Sequence, residues 1–228
     1  MNNKKVNKDT RNKIVIQYYT DVLCIWAWIA QRRIDELNKV LGDKIEIEYH
    51  YLDVFGDAST KIPTQWASKG GFEGFSEHVL SAASLYEDAP VNKQIWSKIR
   101  PNTSANVHLV LKAIEFAYSK QESINFALHF RKAFFIEAKD ISCIDVLFAI
   151  IEDNHLDADQ VNTFIQNGKA MAALMQDYQQ AKSLSLKGSP TYIIDNGRQT
   201  LYGNVGYRVL QANVEELLNA SENEASWC

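Results

Sequence analysis

The chain has 228 residues, 46% of them hydrophobic and 23% charged, with a formal net charge of −4. This composition is typical of a globular protein with one sizeable core. There is no stripe of lysine and arginine, so we expect no nucleic acid partner, because phosphate binding needs clustered positive charge. The longest apolar run, residues 22–30, is too short to span a bilayer, so no membrane partner is expected either.

The N-terminal sequence MNNKKVNKDTRNK is basic but has neither an apolar region nor a small-residue cleavage site. We interpret it as a polar tail and not as a secretory signal. The three cysteines are far apart in sequence, which indicates no disulfide framework. Together these observations predict a cytoplasmic protein. The five histidines lack metal-ligand spacing, so no metal site is expected.

The first elements of the chain predict a β-α-β unit. Ile14–Tyr19 is rich in β-branched and aromatic residues, which is typical of a strand. An apolar and then amphipathic stretch, Cys24–Leu41, ends at Gly42 and predicts a helix. Apolar and polar residues alternate over Lys44–Leu52, as in a half-buried strand. A right-handed parallel crossover is the expected arrangement.

From about residue 57 to residue 187 the pattern is helical. Apolar residues recur at helical spacing in Phe72–Tyr86, Ser104–Ser119, Ile124–Ala138, Cys143–Asn154, Ala158–Gln166 and Lys169–Leu186. We interpret His108 as a satisfied structural histidine and Cys143 as a core residue. The aromatic residues of this block are likewise interpreted as core and not as a lid: Trp66, Phe72, Phe75 and Trp96.

Strands return near the C-terminus. Thr191–Asp195 and Gln199–Tyr202 flank the dipeptide Asn-Gly, a strong hairpin signal, and Tyr207–Asn219 predicts a last helix. This element order predicts an α/β, thioredoxin-like fold with a large all-helical insertion. We expect the discontinuous thioredoxin-like domain at 13–56 and 187–220, the insertion at 57–186, and a flexible tail at 221–228.

Cys24 is the candidate catalytic residue. It follows the first predicted strand and opens the first helix, where unpaired N–H groups stabilise a thiolate and lower its pKa. A thiolate is the nucleophilic form of cysteine. Position alone leaves a second interpretation open, in which Cys24 is a small buried hydrophobe. Asp21, three residues earlier, is able to order the turn, but its charge would oppose a thiolate.

The segment Gly188-Ser189-Pro190-Thr191 directly precedes a strand, which is where proline is tolerated. In a thioredoxin fold this position faces the active-site helix and the bond before the proline is cis. A cis proline there leaves the backbone of Ser189 free to pair with a substrate peptide or with glutathione. An ordinary trans proline at the end of a loop is the alternative.

Residues 19–28, YTDVLCIWAW, resemble the active-site segment of DsbA-like oxidoreductases of the FrnE branch. They also resemble kappa-class glutathione transferases and 2-hydroxychromene-2-carboxylate isomerases. Four positions carry the match: Asp21, Val22, Leu23 and Trp28. The proline segment fits both groups. The resemblance implies that Trp26, Ser189, Pro190 and Asn204 contact the substrate, and that no cofactor is tightly bound.

This sequence also departs from both patterns. The dithiol branch has a second cysteine where this chain has Ala27, so a mixed disulfide at Cys24 cannot be resolved within the motif. The glutathione branch has serine where this chain has Cys24, and proline where it has Ile25. An acidic residue of the kappa class is replaced by Val205, just after Asn204.

Three roles for Cys24 remain open, given that the motif has no second cysteine. Glutathione, as a cosubstrate, would resolve the mixed disulfide and make the protein a monothiol oxidoreductase. Alternatively, Cys24 would take the serine's role and bind glutathione for transfer to, or isomerisation of, a small electrophile. Cys228, on the C-terminal tail, would serve as a distant resolving thiol, or is an incidental tail cysteine. A redox-inert binding protein is a further alternative, and a homodimer is left open.

Overall fold

The computed structural model describes residues 13–219, and within them a four-stranded sheet forms the centre. The strands are β1 (Ile14–Thr20), β2 (Ile45–Tyr51), β3 (Thr191–Ile194) and β4 (Gln199–Tyr202). Their order across the sheet is β2-β1-β3-β4. β1 and β2 are parallel, whereas β1–β3 and β3–β4 are antiparallel. This topology confirms the predicted thioredoxin-like α/β fold.

The helices agree with the predicted order. They are α1 (Ile25–Leu41), α2 (Ala58–Gln65), α3 (Gly71–Ala83), α4 (Ala105–Ala117), α5 (Lys120–Phe135), α6 (Ile144–Asp153), α7 (Ala158–Gln166), α8 (Lys169–Ser183) and α9 (Tyr207–Asn219). α2 to α8 lie between β2 and β3, which is the helical insertion. Its core includes the fully buried Trp96, whose ring centroid lies 5.3 Å from that of Phe75.

Two differences from the prediction have local causes. α2 was not predicted, because it is short and contains Pro63; Asp57 begins it by accepting a hydrogen bond from the Thr60 amide. α5 begins at Lys120, four residues before the predicted start, because the Ser119 hydroxyl accepts from the Glu122 amide and caps the helix.

The sheet is covered on both faces, which places the end of β1 inside the molecule. Successive residues of a strand point to opposite faces. Tyr18 packs in the main core, which α1 and α9 share, while Tyr19 packs with Ala181 of α8. Within residues 13–219, no helix has the length and apolar character needed to cross a bilayer.

Candidate active site

Cys24 lies between the end of β1 and the first turn of α1. Its backbone is extended, and its carbonyl oxygen accepts hydrogen bonds from the amides of Ala27 at 3.1 Å and Trp28 at 3.0 Å. Cys24 is therefore the N-cap residue of α1. Its thiol donates a hydrogen bond to the carbonyl oxygen of Ser189, with 3.3 Å between the sulfur and the oxygen.

The sulfur of Cys24 is enclosed, and this changes its acidity. The residue is only 5% exposed, and burial raises the pKa of the thiol above its ordinary value of 9.0. The hydrogen bond with Ser189 lowers the pKa in part, while the charge of Asp21 raises it. The expectation of a lowered pKa is therefore wrong, because desolvation outweighs the effect of the helix N-terminus.

The proline loop packs directly against this turn. The Ser189–Pro190 peptide bond is cis. Ser189 is buried, and its hydroxyl accepts a hydrogen bond from the main-chain nitrogen of Asp21 at 2.9 Å. On the far side of the loop, the Gly203 amide donates to the Pro190 carbonyl oxygen at 2.8 Å. Cys24, Ser189 and Pro190 are thus brought together, as the sequence predicts.

Asp21 links three separate segments through one buried carboxylate. It accepts hydrogen bonds from the amides of Leu23 and Phe55, each at 2.9 Å, and from the hydroxyl of Ser104 at 2.7 Å. Burial raises its pKa from 3.8 to about 6, although these hydrogen bonds oppose the shift. The carboxylate thereby joins the active-site turn to the loop after β2 and to the start of α4.

His108 of α4 is also fully buried beside this turn. Its Nε2 atom accepts from the Val22 amide at 3.2 Å, and its Nδ1 atom lies 3.1 Å from the Tyr178 hydroxyl. Since Nε2 accepts, the ring is neutral. Burial, together with the charge of Arg131, lowers the pKa of His108 to about 3. The geometry agrees with the interpretation of His108 as a satisfied structural histidine.

Arg131 of α5 is a buried cation that the sequence analysis missed. Its guanidinium donates to the Gln31 side-chain oxygen and to the Thr20 hydroxyl, each at 2.7 Å. Among residues 13–219, no carboxylate lies within ion-pair distance of it. The one available signal is an arginine next to the apolar stripe of a helix. Arg131 holds the end of β1 against the insertion.

The two remaining predicted contacts differ in their surroundings. Trp26, in the first turn of α1, is half-buried and packs against the core. Asn204 is exposed, and its side-chain oxygen accepts from Arg33 at 2.5 Å while its amide nitrogen donates to the Tyr86 hydroxyl at 2.7 Å. Asn204 therefore links the loop before α9 to α1 and to the insertion, and its side chain is already engaged.

The positions around Cys24 offer no second thiol in the motif. Ala27 is fully buried against the core. Cys143 is exposed at the N-cap of α6, so its assignment to the core is wrong: it precedes the helix and does not lie on its packed face. Cys228 and the predicted tail lie outside the described residues. No group of metal-ligating side chains is found in residues 13–219.

The model of the DSBA-like thioredoxin domain family matches residues 15–215. The chain belongs to this family. Membership of this family indicates an enzyme of the oxidoreductase or isomerase kind. No curated protein sequence matches the chain.

Several solved structures are similar to this member of the family. DsbM from Pseudomonas aeruginosa, a cytosolic disulfide reductase, has a TM-score of 0.69 at 19% identity, over 90% of this chain and 98% of that chain. DsbM with GSH also matches. A 2-hydroxychromene-2-carboxylate isomerase has a TM-score of 0.60 at 15% identity, over 90% of this chain and 96% of that chain. The thiol-disulfide exchange protein α-DsbA2 from Wolbachia pipientis has a TM-score of 0.56 at 16% identity, over 91% of this chain and 88% of that chain. These identities establish the fold alone.

Proposed function

We propose that this protein is a thiol–disulfide oxidoreductase that acts through Cys24 as its single active-site cysteine. The observation that carries the proposal is the position of the Cys24 sulfur, 3.3 Å from the Ser189 carbonyl oxygen at the start of α1. The helix N-terminus favours a thiolate once the sulfur meets water or substrate. The Ser189 backbone lies beside it, where a substrate strand would pair.

The proposed substrate is a disulfide or a glutathione adduct. The Cys24 thiolate attacks the glutathione sulfur of a mixed disulfide, forms a Cys24–glutathione disulfide, and releases the substrate thiolate. A second glutathione, as its thiolate, then attacks the glutathione sulfur, releases glutathione disulfide and regenerates the Cys24 thiolate. Each step exchanges one sulfur–sulfur bond for another, and glutathione is the net reductant. An external thiol is necessary because Ala27 stands where the dithiol branch has its second cysteine.

Two features support glutathione and a cytoplasmic setting. DsbM is described as cytosolic and has been solved with GSH, and this chain has its fold. The motif of this chain has one cysteine, which suits a reducing compartment with abundant thiol. No tightly bound cofactor enters the proposal.

The enclosure of Cys24 requires an opening step. Cys24 is only 5% exposed and burial raises the pKa of its thiol, so at neutral pH the thiol is protonated, and we infer that its exposure must increase before it meets a disulfide. The hydrogen bond from the thiol to Ser189 must break before the sulfur attacks. Substrate pairing with the Ser189 backbone would compete with that bond and release the sulfur.

The test is turnover of a glutathionylated peptide in the presence of glutathione. We expect release of the free peptide by the native protein, no release by Cys24→Ser, and normal release by Cys143→Ser, which removes the exposed thiol. Trapping with the native protein should yield a glutathione adduct at Cys24, identified by mass spectrometry. Equal turnover by Cys24→Ser and the native protein would refute the proposal.

The Cys228 thiol is tested in the same experiment. If it resolves Cys24, mildly oxidised protein contains a Cys24–Cys228 linked peptide, and Cys228→Ser lacks it while gaining a stronger dependence on glutathione. Absence of the linked peptide assigns resolution to glutathione alone.

The second candidate function is a kappa-like glutathione-dependent transferase or isomerase. It is favoured by the raised pKa of Cys24 and by the hydrogen bond that its thiol donates, because a neutral donor suits the role of the serine in that branch. Glutathione binding with no disulfide turnover, and with a normal affinity in Cys24→Ser, would favour it. Neither binding nor turnover would indicate a redox-inert binding protein.

A further inference from the structure

Arg131 is a fully buried cation without a role in the proposed reaction. Its guanidinium donates one hydrogen bond to the Thr20 hydroxyl and one to the Gln31 side-chain oxygen, each at 2.7 Å. Its Nε atom has no hydrogen-bond partner among residues 13–219, and no carboxylate there forms an ion pair with it. Neutral acceptors offset only part of the cost of burying a charge. The guanidinium therefore lacks a counter-charge within the described part of the chain.

The two hydrogen bonds place the guanidinium beside the elements that hold Cys24. Thr20 is the last residue of β1, four residues before Cys24, and Gln31 lies on α1, seven residues after it. Seven residues make about two helical turns, so Gln31 projects from the side of α1 on which Cys24 lies. Helical side chains also lean toward the N-terminus of their helix. Arg131 therefore lies between the end of β1 and the face of α1 that carries Cys24.

Four groups near Arg131 are able to carry a negative charge. Burial lowers the pKa of Arg131, and negative charge on these four groups raises it: Tyr18, Tyr49, Tyr51 and Cys24. Burial raises the pKa of each tyrosine, so the three hydroxyls stay protonated at neutral pH. Of the four groups, Cys24 is the one that the proposed reaction needs as an anion.

We propose that Arg131 is a positioning residue whose guanidinium supplies the counter-charge for the Cys24 thiolate. This inference rests on the proposed function. Arginine keeps its proton at physiological pH, and a protein interior screens its charge less than water does. When the sulfur meets water or substrate, the thiol gives its proton to solvent, and the thiolate and the guanidinium attract each other. The attraction offsets part of the penalty that burial and Asp21 impose on the thiolate.

The other charged groups around this turn do not supply that counter-charge. Asp21 opposes a thiolate at Cys24. The charge of Lys61, on α2, acts on the Asp21 carboxylate. His108 of α4 is neutral, because burial lowers its pKa to about 3. Arg131 of α5 is therefore the buried cation that interacts with Cys24.

The test is the pH dependence of iodoacetamide labelling at Cys24 in a Cys143→Ser, Cys228→Ser background. The midpoint of the labelling rate reports the pKa of the thiol. We expect Arg131→Met, which replaces the guanidinium with an apolar chain, to raise the midpoint by about one pH unit, so that the thiolate fraction below it falls about tenfold. Arg131→Lys keeps the charge and should keep the midpoint of the parent.

Two further variants separate the charge from the packing. Thr20→Val removes one hydrogen bond of the guanidinium but keeps its charge, so it should leave the midpoint unchanged. Arg131→Gln removes the charge but keeps a hydrogen-bonding side chain, so it should raise the midpoint even if Arg131→Met does not fold. Removal of a merely structural Arg131 would open the turn to water and lower the midpoint, because desolvation is what raises the pKa of Cys24. A lowered or unchanged midpoint in the neutral variants would overturn the inference.

Turnover distinguishes failure of this inference from failure of the proposed function. At about pH 7.5 the neutral variants should release peptide from a glutathionylated peptide about threefold more slowly, since the greater nucleophilicity of a more basic thiolate offsets part of the lost thiolate fraction. An unchanged midpoint with normal turnover in the parent overturns the role of Arg131 and leaves the proposed function intact. A parent that releases no peptide refutes the proposed function, and Arg131 then has no role in it.

Discussion

The main-chain nitrogen of Asp21 donates a hydrogen bond to the hydroxyl of Ser189, 168 residues later in the chain, at 2.9 Å. The Asp21 carbonyl oxygen accepts from the Cys24 amide at 3.1 Å, and the Cys24 thiol returns a bond to the Ser189 carbonyl oxygen. The active-site turn and the proline loop therefore form one closed unit. The surroundings of the Cys24 thiol are therefore set by residues from both ends of the described chain.

Asp21→Asn should lower the pKa of the Cys24 thiol, because the variant removes a negative charge that raises it. The rate of iodoacetamide labelling at Cys24, measured against pH in a Cys143→Ser background, should then rise at a lower pH than in the parent. The parent midpoint should lie above 9.0, the ordinary value. Asp57→Asn, which removes an exposed carboxylate at α2, is the matched control. An unchanged midpoint in Asp21→Asn would contradict the electrostatic role of Asp21.

The native protein should gain stability relative to Asp21→Asn as the pH falls. The carboxyl pKa is about 6 in the folded protein and 3.8 without its surroundings, so between these values the folded state binds the extra proton. Ionisation above that window destabilises the fold by up to about 3 kcal/mol. Urea unfolding at about pH 7.5 and about pH 5 should show a relative gain of about 1 kcal/mol at the lower pH. A relative loss at the lower pH would reverse the assigned direction of the shift.

Ala27→Cys should convert the protein into a dithiol oxidoreductase. Residues 24 and 27 are three positions apart in the first turn of α1 and lie on the same side of the helix, as a local disulfide requires. On oxidation the variant should form a disulfide between Cys24 and the introduced thiol, so a single turnover of a disulfide substrate should release both substrate thiols without glutathione. Further turnovers still need glutathione, which reduces the enzyme disulfide. Because Ala27 is fully buried, the added sulfur should cost about 1–3 kcal/mol of stability.

Ala27→Ser provides the control for this design, since it adds a similar atom without a thiol. It should share the loss of stability and still need glutathione to release the second substrate thiol. If a folded Ala27→Cys protein still needs glutathione to release the second substrate thiol in a single turnover, then access to Cys24, and not the missing second cysteine, limits the reaction.

Asn204→Ala should mainly affect stability. The Asn204 side chain is hydrogen-bonded to Arg33 and Tyr86, and the variant loses both bonds. Because the two bonds are exposed, we expect their loss to lower the free energy of unfolding by only about 1 kcal/mol in total. Tyr86→Phe removes one of the same bonds, and a double-mutant cycle in urea should detect their coupling. The predicted substrate role gives a different result: a KM for glutathione raised about tenfold, with little change in kcat or stability.

Local patterns in the sequence were sufficient to predict the fold. Period-two alternation, helical spacing and the Asn-Gly turn are properties of neighbouring residues, so β1, α1, β4 and α9 could be predicted from them. α2 was not predicted, because its proline and polar residues interrupt the helical spacing of apolar residues. The same local reasoning placed Cys24 at the start of α1, whereas the resemblance to the dithiol branch of the family identified Ala27 as the position of the missing second cysteine.

The electrostatics of the site, in contrast, were decided by the tertiary structure. The pKa of a group depends on how much water the rest of the protein removes from it, and sequence position does not report that. Cys24 therefore has a raised pKa despite its helix N-terminus, and Asp21 has one despite three hydrogen bonds. The partners of Arg131 and Asn204 likewise come from distant segments, which only folding brings together.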